Sequence, residues 1–235
     1  MLIGAVGGTI LAIMRQSKNY VMRAVSWFYL WFFRGTPVLV QVIFWGNFAL
    51  LYRRLSLGIP FTSHIFWSLD TNAVITIFVA AVLALGLNEA AYAAELVRAG
   101  IISVDKGQTE AAASLGMSPG MTMRRIILPQ AMRVIIPPMG NETISMLKTT
   151  AIASIISAQE LMTAVRNAYA QNFKVIPLLL VASFWYIVAT TVLTFGQHFL
   201  EAYFSKGLGD KEAEAAEKRA MKRLERRAGV DPGVF

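Results

Sequence analysis

The stretch that decides the class of fold is Ile176–Leu200, which reads IPLLLVASFWYIVATTVLTFGQHFL and contains no Asp, Glu, Lys or Arg. A bilayer core about 30 Å thick is crossed by roughly 20 mainly apolar residues in an α-helix. Only Gly196 and a few hydroxyl and amide side chains interrupt the apolar pattern. The stretch therefore predicts a helix that spans a membrane.

Four other segments show the same pattern with more interruptions. They are Leu2–Met14, Val38–Tyr52, Ala73–Leu96 and Ile135–Ile156. The first has only thirteen residues, which is too short to span alone and predicts a partial first helix. The third ends in polar residues, and the fourth contains polar residues in its middle. Together the five segments predict an all-α integral membrane protein with about five transmembrane helices.

The composition of the chain excludes several other classes of protein. Hydrophobic residues make up 56% of the 235 residues and charged residues 15%, against about 45–50% and 25% in soluble domains. The chain has too few charged residues to cover the surface of a soluble protein of this size. The same composition excludes a disordered chain, a collagen and a coiled-coil rod. The absence of cysteine excludes disulfides, a thiolate metal site and a thiol nucleophile.

The distribution of the 22 Lys and Arg residues predicts the orientation in the membrane. With the connection 99–134 in the cytoplasm, 17 of the 22 lie on the cytoplasmic side, four lie outside and Lys148 lies in a span. By the positive-inside rule, the N-terminus is then outside and the C-terminus cytoplasmic. Eight of the 17 belong to the last thirty residues, beside six acids. The net charge of +8 therefore does not predict nucleic-acid binding.

Two segments outside the five spans have a distinct character. Residues 19–33 contain six aromatic side chains, at Trp27, Phe28, Tyr29, Trp31, Phe32 and Phe33. Aromatic belts mark the membrane–water boundary, so we expect an interfacial elbow helix here rather than a sixth span, ended by Arg34-Gly35-Thr36-Pro37. Residues 206–235 form a charged tail. We expect a solvated helix there, with contact to anionic lipid or a partner subunit as the alternative.

The connection 99–134 contains a short helix rich in small residues. Asp105–Leu115 has a helical pattern, and Gly116 follows at the position where a glycine typically ends a helix. Ser118-Pro119-Gly120 turns the chain, and Pro137-Pro138 predicts the start of the next span. Small side chains on an exposed helix let another backbone or groove approach closely. The alternative is an alanine-rich surface helix without a partner.

The spacing in this connection resembles a known motif. Glu110-Ala111-Ala112 is followed after three residues by Gly116, and after nine more by Ile126 and then Leu128-Pro129. This is similar to the cytoplasmic EAA loop of the permease subunits of binding-protein-dependent ABC importers. Other segments resemble the polar amino-acid branch of that family: Phe33–Pro37 with Gln41, Tyr92–Arg98, Gly107-Gln108, Pro129–Ala131 and Leu147–Thr150. The resemblance covers about residues 2–200.

The resemblance implies the type I ABC importer permease fold in a bacterial cell membrane. Residues 1–205 would form the transmembrane domain, including the coupling loop 99–134, and residues 206–235 a cytoplasmic tail. The implied partners are a second permease subunit (identical or different), ATPase subunits that bind ATP and Mg²⁺, and an extracytoplasmic solute-binding protein that delivers a polar amino acid. The residues it assigns to ATPase coupling are Gly107, Glu110, Ala111, Ala112, Gly116 and Pro129.

Polar side chains inside the spans are the candidate substrate-pathway residues, because an ionisable group in a span is costly unless it is paired. They are Asn141, Glu142, Ser145, Lys148 and Thr149 in the fourth segment and Glu89 and Tyr92 in the third. A zwitterionic amino acid needs an anion for its ammonium group and donors for its carboxylate, which Glu142 with Lys148 or neighbouring hydroxyls supply. The alternative is that Glu142 and Lys148 pair with other helices and hold the bundle together.

The sequence contains no nucleotide-binding or metal-binding motif. It lacks the Gly-x-x-x-x-Gly-Lys-Ser/Thr phosphate loop, and its two histidines, His64 and His198, have no second ligand at metal spacing. We therefore expect a transport subunit that is not an enzyme and binds no cofactor itself, with ATP hydrolysis in a partner.

Two other functions fit a helical membrane protein. A secondary transporter driven by ion gradients typically has inverted repeats, and one half of this sequence does not convincingly repeat the other. A membrane scaffold would use the charged tail as its interaction module. The transporter alternative leaves the helix around Glu110 without a purpose.

Overall fold

The computed structural model describes residues 1–58 and 65–205, so His64 and the charged tail 206–235 lie outside the described residues. The elements follow one another in this order: α1 (Leu2–Gln16), α2 (Tyr20–Gly35), α3 (Val38–Gly46), α4 (Phe48–Leu51), β1 (Arg54–Gly58), β2 (Ile65–Asp70), α5 (Thr71–Val74), α6 (Ile77–Ile102), α7 (Lys106–Ser114), α8 (Pro119–Thr122), a π-helical turn (Met123–Ile127), α9 (Leu128–Thr149), a 3-10 helix (Thr150–Ile156), α10 (Leu161–Asn172) and α11 (Val175–Ser205).

All five apolar segments are mainly helical, which confirms the all-α class; the longest helices within them are α1, α3, α6, α9 and α11. In the described part of the chain, α6 and α11 are long and apolar enough to cross a membrane as single helices, and the bent pair α2–α3 adds a third candidate. The segment Val38–Tyr52 does not form one helix long enough to cross a membrane, because Asn47 separates α3 from α4. The central polar side chains of α9 make that helix less apolar than a typical span.

The predicted break between the aromatic segment and the next helix is confirmed. Helix α2 ends at Gly35 and α3 begins at Val38, and their axes differ by 97°. The amide of Gln41 holds this bend, because its Nε2 donates to Thr36 Oγ1 at 2.8 Å and to the Phe33 carbonyl at 3.0 Å. The interfacial position of α2 stays a prediction.

Helices α1 and α6 run parallel and pack closely through small residues. Gly4, Gly8 and Ala12 are spaced four apart on one face of α1, and small-xxx-small patterns let membrane helices approach closely. Their partners advance along α6 in step, since Gly4 lies against Glu89, Gly8 against Ala93 and Ala94, and Ala12 packs with Val97. Two helices separated by one return crossing must run parallel, so this packing agrees with the predicted alternation of spans.

Helix α6 is the centre of the bundle and α11 lies at its edge. Over half of the apolar window of α6 is buried (56%), against 6% in α11. One cluster joins α1, α6 and α9 through Ala12, Val97, Ala131 and Ile135. A second cluster joins α3 and α6 through Val42, Ala84 and Leu85, with Met146 of α9 packed against it.

The prediction that Pro137-Pro138 opens a helix is wrong. Both prolines lie inside α9, which begins at Leu128 with Pro129 in its first turn. Prolines are tolerated inside membrane helices because neighbouring helices satisfy the backbone groups that they leave free. The two prolines have no N–H to donate to the Arg133 and Val134 carbonyls one turn earlier. Gln197 of α11 packs against the same part of α9, where its Nε2 donates to the Pro137 carbonyl at 3.3 Å.

A small hairpin that is not predicted from the sequence lies between α4 and α5. Strands β1 and β2 pair antiparallel, with Arg54 opposite Asp70 and Ser56 opposite Ser68. Asp70 also caps α5 by accepting from the Asn72 backbone N–H at 2.9 Å. In the predicted topology this hairpin is on the outer side.

Candidate functional site

A polar cavity of about 540 Å³ lies where the α2–α3 bend meets α6 and α9. Helix α9 contributes Glu142, Ser145, Met146 and Thr149, which recur at helical spacing on one face, and α6 contributes Leu85, Asn88, Glu89 and Tyr92. The bend contributes residues 34–38. A cavity of this size holds a small molecule.

The structure brings together most of the predicted pathway residues. Glu142, Ser145, Thr149, Glu89 and Tyr92 all line the cavity although they come from two helices. Asn141 and Lys148 do not line it. Both side chains are exposed on the surface of α9, away from the lining of this cavity. Lys148 of the single chain is therefore not placed to contact a ligand in this cavity directly.

Glu89 is the most deeply buried ionisable side chain of the cavity. It is 5% exposed, and within the described residues its Oε1 has no hydrogen-bond partner. Leaving a buried carboxylate oxygen without a partner costs free energy, which a hydrogen-bond donor on a ligand would recover. Glu142 lines the same cavity from the facing helix and lies close enough to interact with Glu89 electrostatically. Two carboxylates in one cavity favour a cationic group between them.

Asn88 fixes the cavity wall in place. Its Nδ2 donates to the Phe33 carbonyl at 3.0 Å and to Gln41 Oε1 at 3.2 Å, which ties α6 to the α2–α3 bend. Amides within apolar runs are the sequence signal for such a link, because a buried amide needs partners.

Arg34 is a cavity residue that the sequence analysis does not assign to the site. Its guanidinium lies over the Tyr92 ring, 5.7 Å from the centroid, and its Nη1 is 3.8 Å from Glu95 Oε1. Glu95 Oε2 accepts from Arg98, three residues later on the same helix, at 2.9 Å (Nε) and 2.7 Å (Nη2). These contacts place charged side chains beside the cavity.

The short helix in the connection 99–134 is capped at both ends, and the cap at its C-terminal end is the one that its sequence predicts. Asp105 accepts from the Gly107 backbone N–H at 2.6 Å, and a Cβ at Gly107 would lie 2.9 Å from that carboxylate oxygen, so glycine leaves room for the cap. Gly116 has φ +75°, its N–H donates to the Ala113 carbonyl, and the Met117 N–H donates to the Ala112 carbonyl. This is a Schellman motif, and it confirms Gly116 as the residue that ends α7.

One face of α7 and the residues that follow it are exposed on the surface of this chain. Glu110, Ala111 and Gly116 are exposed, and Leu115 exposes 81% of its surface. Ala112, by contrast, is buried, so it packs α7 against its own chain and does not present a surface. Gln130 Nε2 of α9 donates to Gln108 Oε1 at 3.3 Å and ties α7 to the start of the next helix, beside exposed Pro129.

Known proteins are similar to this chain in sequence and in fold. Residues 4–206 match the family described as binding-protein-dependent transport system inner membrane component. The arginine transport system permease protein ArgU of Corynebacterium glutamicum is 51% identical over 209 residues, which are 88% of this chain and 64% of that protein. The chain therefore spans slightly less than two thirds of that relative.

Two further proteins are similar to this chain in sequence, and the solved structure of one of them is similar in fold as well. The probable amino-acid permease protein YxeN of Bacillus subtilis is 36% identical over 206 residues, which are 88% of this chain and 85% of that protein. A crystal structure of an amino acid ABC transporter with histidines superposes on the fold with a TM-score of 0.72 at 34% identity, covering 86% of each chain.

Proposed function

Because the chain belongs to the family of binding-protein-dependent transport system inner membrane components, it is a permease subunit of a transport system, and we propose that it imports a polar amino acid with energy from a separate ATPase. The observation that carries this proposal is the pairing of a polar cavity between the helices with an exposed, capped helix at residues 106–114. The cavity would provide the passage for the substrate, and the helix would provide the contact with the ATPase.

The residues that line the cavity favour a substrate amino acid whose positive charge is carried by an ammonium or guanidinium group. Its ionisable residues are Glu89, Glu142 and Arg34, together with the phenol of Tyr92. The two carboxylates outnumber the single arginine. The names of the relatives, an arginine permease and an amino-acid permease, point to the same class of substrate.

We assign the contact with the ATPase to the exposed face of α7. Glu110, Ala111 and Gly116 present small or charged groups there, and Gly107 and Pro129 stabilise the helix and its flank. Ala112 contributes indirectly, because it anchors α7 to the chain. Movement of the ATPase would then reach α9 through the Gln108–Gln130 contact and the π-helical turn.

A second permease subunit, identical or different, would complete the passage. Asn141, Ser145 and Lys148 lie at i, i+4 and i+7 and are exposed on α9. Exposed polar groups in a membrane helix face the interior of a bundle or a water-filled cavity rather than lipid. We therefore place this face along the pathway between two subunits, with the N-terminus outside, the C-terminus in the cytoplasm and a solute-binding protein docking from outside.

The proposal is tested by uptake into membrane vesicles that contain the whole complex. We expect radiolabelled arginine or another polar amino acid to enter only with its binding protein and ATP, with vanadate stopping transport and an uncoupler leaving it unaffected. A P-loop ATPase should co-purify with the tagged chain. Transport that an uncoupler stops and vanadate does not would instead identify a secondary transporter.

Replacing Glu142 by alanine should lower uptake while the ATPase stays bound. Loss of one charge-assisted contact to the substrate is worth about 1.5–3 kcal/mol, so uptake at low substrate concentration should fall at least tenfold. The measurement is the initial uptake rate, with co-purification of the ATPase in parallel.

The control is Glu201→Ala on α11, a carboxylate that accepts from Gln197 at 2.7 Å and does not line the cavity. It should transport within about twofold of the wild type, as substitutions away from a site usually do. Full transport by the Glu142→Ala variant would remove Glu142 from the pathway.

A further inference from the structure

A second cavity, of about 420 Å³, lies where α1 ends against α2 and α6. Its charged and aromatic lining residues are Arg15, Trp27, Trp31, Arg34, Tyr92 and Glu95. It adjoins the first cavity through Arg34, Gly35 and Tyr92, whereas Arg15 and the two tryptophans belong to it alone. The transport mechanism proposed above uses none of these three side chains.

The charge of this second cavity is positive. Its one carboxylate, Glu95, is shared between two arginines, since Arg98 holds Oε2 at 2.7 Å and Arg34 lies 3.8 Å from Oε1. Arg15 forms no ion pair with any residue that the structure describes. A guanidinium presents a fork of donors that matches the geometry of a phosphate. The cavity therefore offers donors and excess positive charge to an anion.

The aromatic side chains favour a position of this cavity at the membrane boundary. Trp27 and Trp31 stack on each other with ring centroids 6.3 Å apart, and both are more than half exposed. Tryptophan is enriched at the headgroup level of bilayers. On the same helix, Phe28 and Phe32 are also exposed, so apolar surface continues from the mouth of the cavity. A free phosphate ion would gain nothing from that surface, whereas a lipid would cover it.

We propose that this cavity binds the headgroup phosphate of an anionic phospholipid. Arg15 and Arg34 donate hydrogen bonds to the phosphate, and Trp27 and Trp31 pack against the glycerol and the upper acyl chains. The excess positive charge selects a headgroup that carries no ammonium, because an ammonium would cancel the attraction. Basic pockets between membrane helices bind anionic headgroups on the same physical basis.

The test measures how tightly the purified chain retains phosphatidylglycerol and phosphatidylcholine, by native mass spectrometry after detergent extraction. Phosphatidylglycerol should be retained in preference. Arg15→Gln should weaken that retention roughly tenfold, as expected when a charge-assisted hydrogen bond is lost. The matched control is Arg23→Gln on α2, whose guanidinium lies 5.9 Å from the Tyr20 ring and does not line the cavity. That variant should retain the lipid as the wild type does.

Three results would overturn the proposal. Equal retention of the two lipids would show that charge does not select the headgroup, and equal effects of Arg15→Gln and Arg23→Gln would indicate diffuse attraction to the basic surface. Displacement of phosphatidylglycerol by the same concentration of inorganic phosphate would identify a site for a free anion.

Should Arg15→Gln fail to fold, the wild-type chain still provides a test. Brominated phosphatidylglycerol should quench its tryptophan fluorescence more strongly than brominated phosphatidylcholine, and equal quenching would contradict the site.

Discussion

Replacing Ala111 by tryptophan is expected to abolish transport by separating the permease from its ATPase. Ala111 is exposed on α7 beside Glu110, so the larger ring does not disturb this chain but prevents close approach of a partner groove. A position at the energetic centre of an interface is worth about 2 kcal/mol or more. If Ala111 lies at that centre, ATPase recovery should fall at least tenfold, with uptake falling in parallel. Co-purification and vesicle uptake measure the two effects.

The matched control is Ala99→Trp. Ala99 is also an exposed alanine of the connection 99–134, but it lies in the last turns of α6 rather than on α7. This variant should keep its ATPase and transport within about twofold, since exposed substitutions outside an interface have small effects. Equal losses in the two variants would show that the connection is sensitive to bulk in general and would remove the special role of α7.

Replacing Gly8 by leucine is expected to destabilise the whole bundle. A Cβ at Gly8 would lie 2.6 Å from Ala93 Cβ and 2.8 Å from the Ala94 backbone nitrogen. Because backbone of α6 cannot move aside as a side chain would, α1 must separate from the central helix. Overpacking typically costs about 1–3 kcal/mol, and leucine has a good helix propensity, so the loss is due to packing. The Tm in detergent should fall by roughly 3–10 °C.

Gly196→Leu makes the same chemical change where there is space. Gly196 lies in α11, and within the described chain no atom outside the adjacent backbone of its own helix comes within 4 Å of a Cβ built there. Its Tm should stay within about 2 °C of the wild type, as for other exposed substitutions. A Gly8→Leu variant as stable as Gly196→Leu would contradict the close parallel packing of α1 and α6.

Features that depend on local sequence are predictable here. The Gly116 cap and the break at residues 34–37 follow from the conformational preferences of glycine and proline, which act within a few residues. The apolar segments likewise become helices. The burial of Ala112 is different, because only the packing of α7 against the chain decides which alanine of a run turns inward.

Features that depend on contacts between distant segments are not predictable from one sequence. Arg34 belongs to the cavity because the 97° bend brings it to Tyr92 and Glu95, 58 and 61 positions later. Pro137 lies inside α9 rather than at its start, and its carbonyl accepts from Gln197 of α11, sixty residues away. The grouping of Glu89 with Glu142 is intermediate, since each is recognisable as a polar residue in a span and only the fold places them together.

The central claim is that α7 is the contact through which a separate ATPase acts on this chain, and one cross-linking measurement tests it directly. The sequence has no cysteine, so Ala113→Cys, at an exposed position of α7, gives the chain a single thiol. In membranes containing the whole complex, a short thiol-to-amine cross-linker should join this thiol to the ATPase, while Ser68→Cys in the hairpin should give no such product. Cross-linking of the ATPase to the hairpin thiol and not to the α7 thiol would contradict the account.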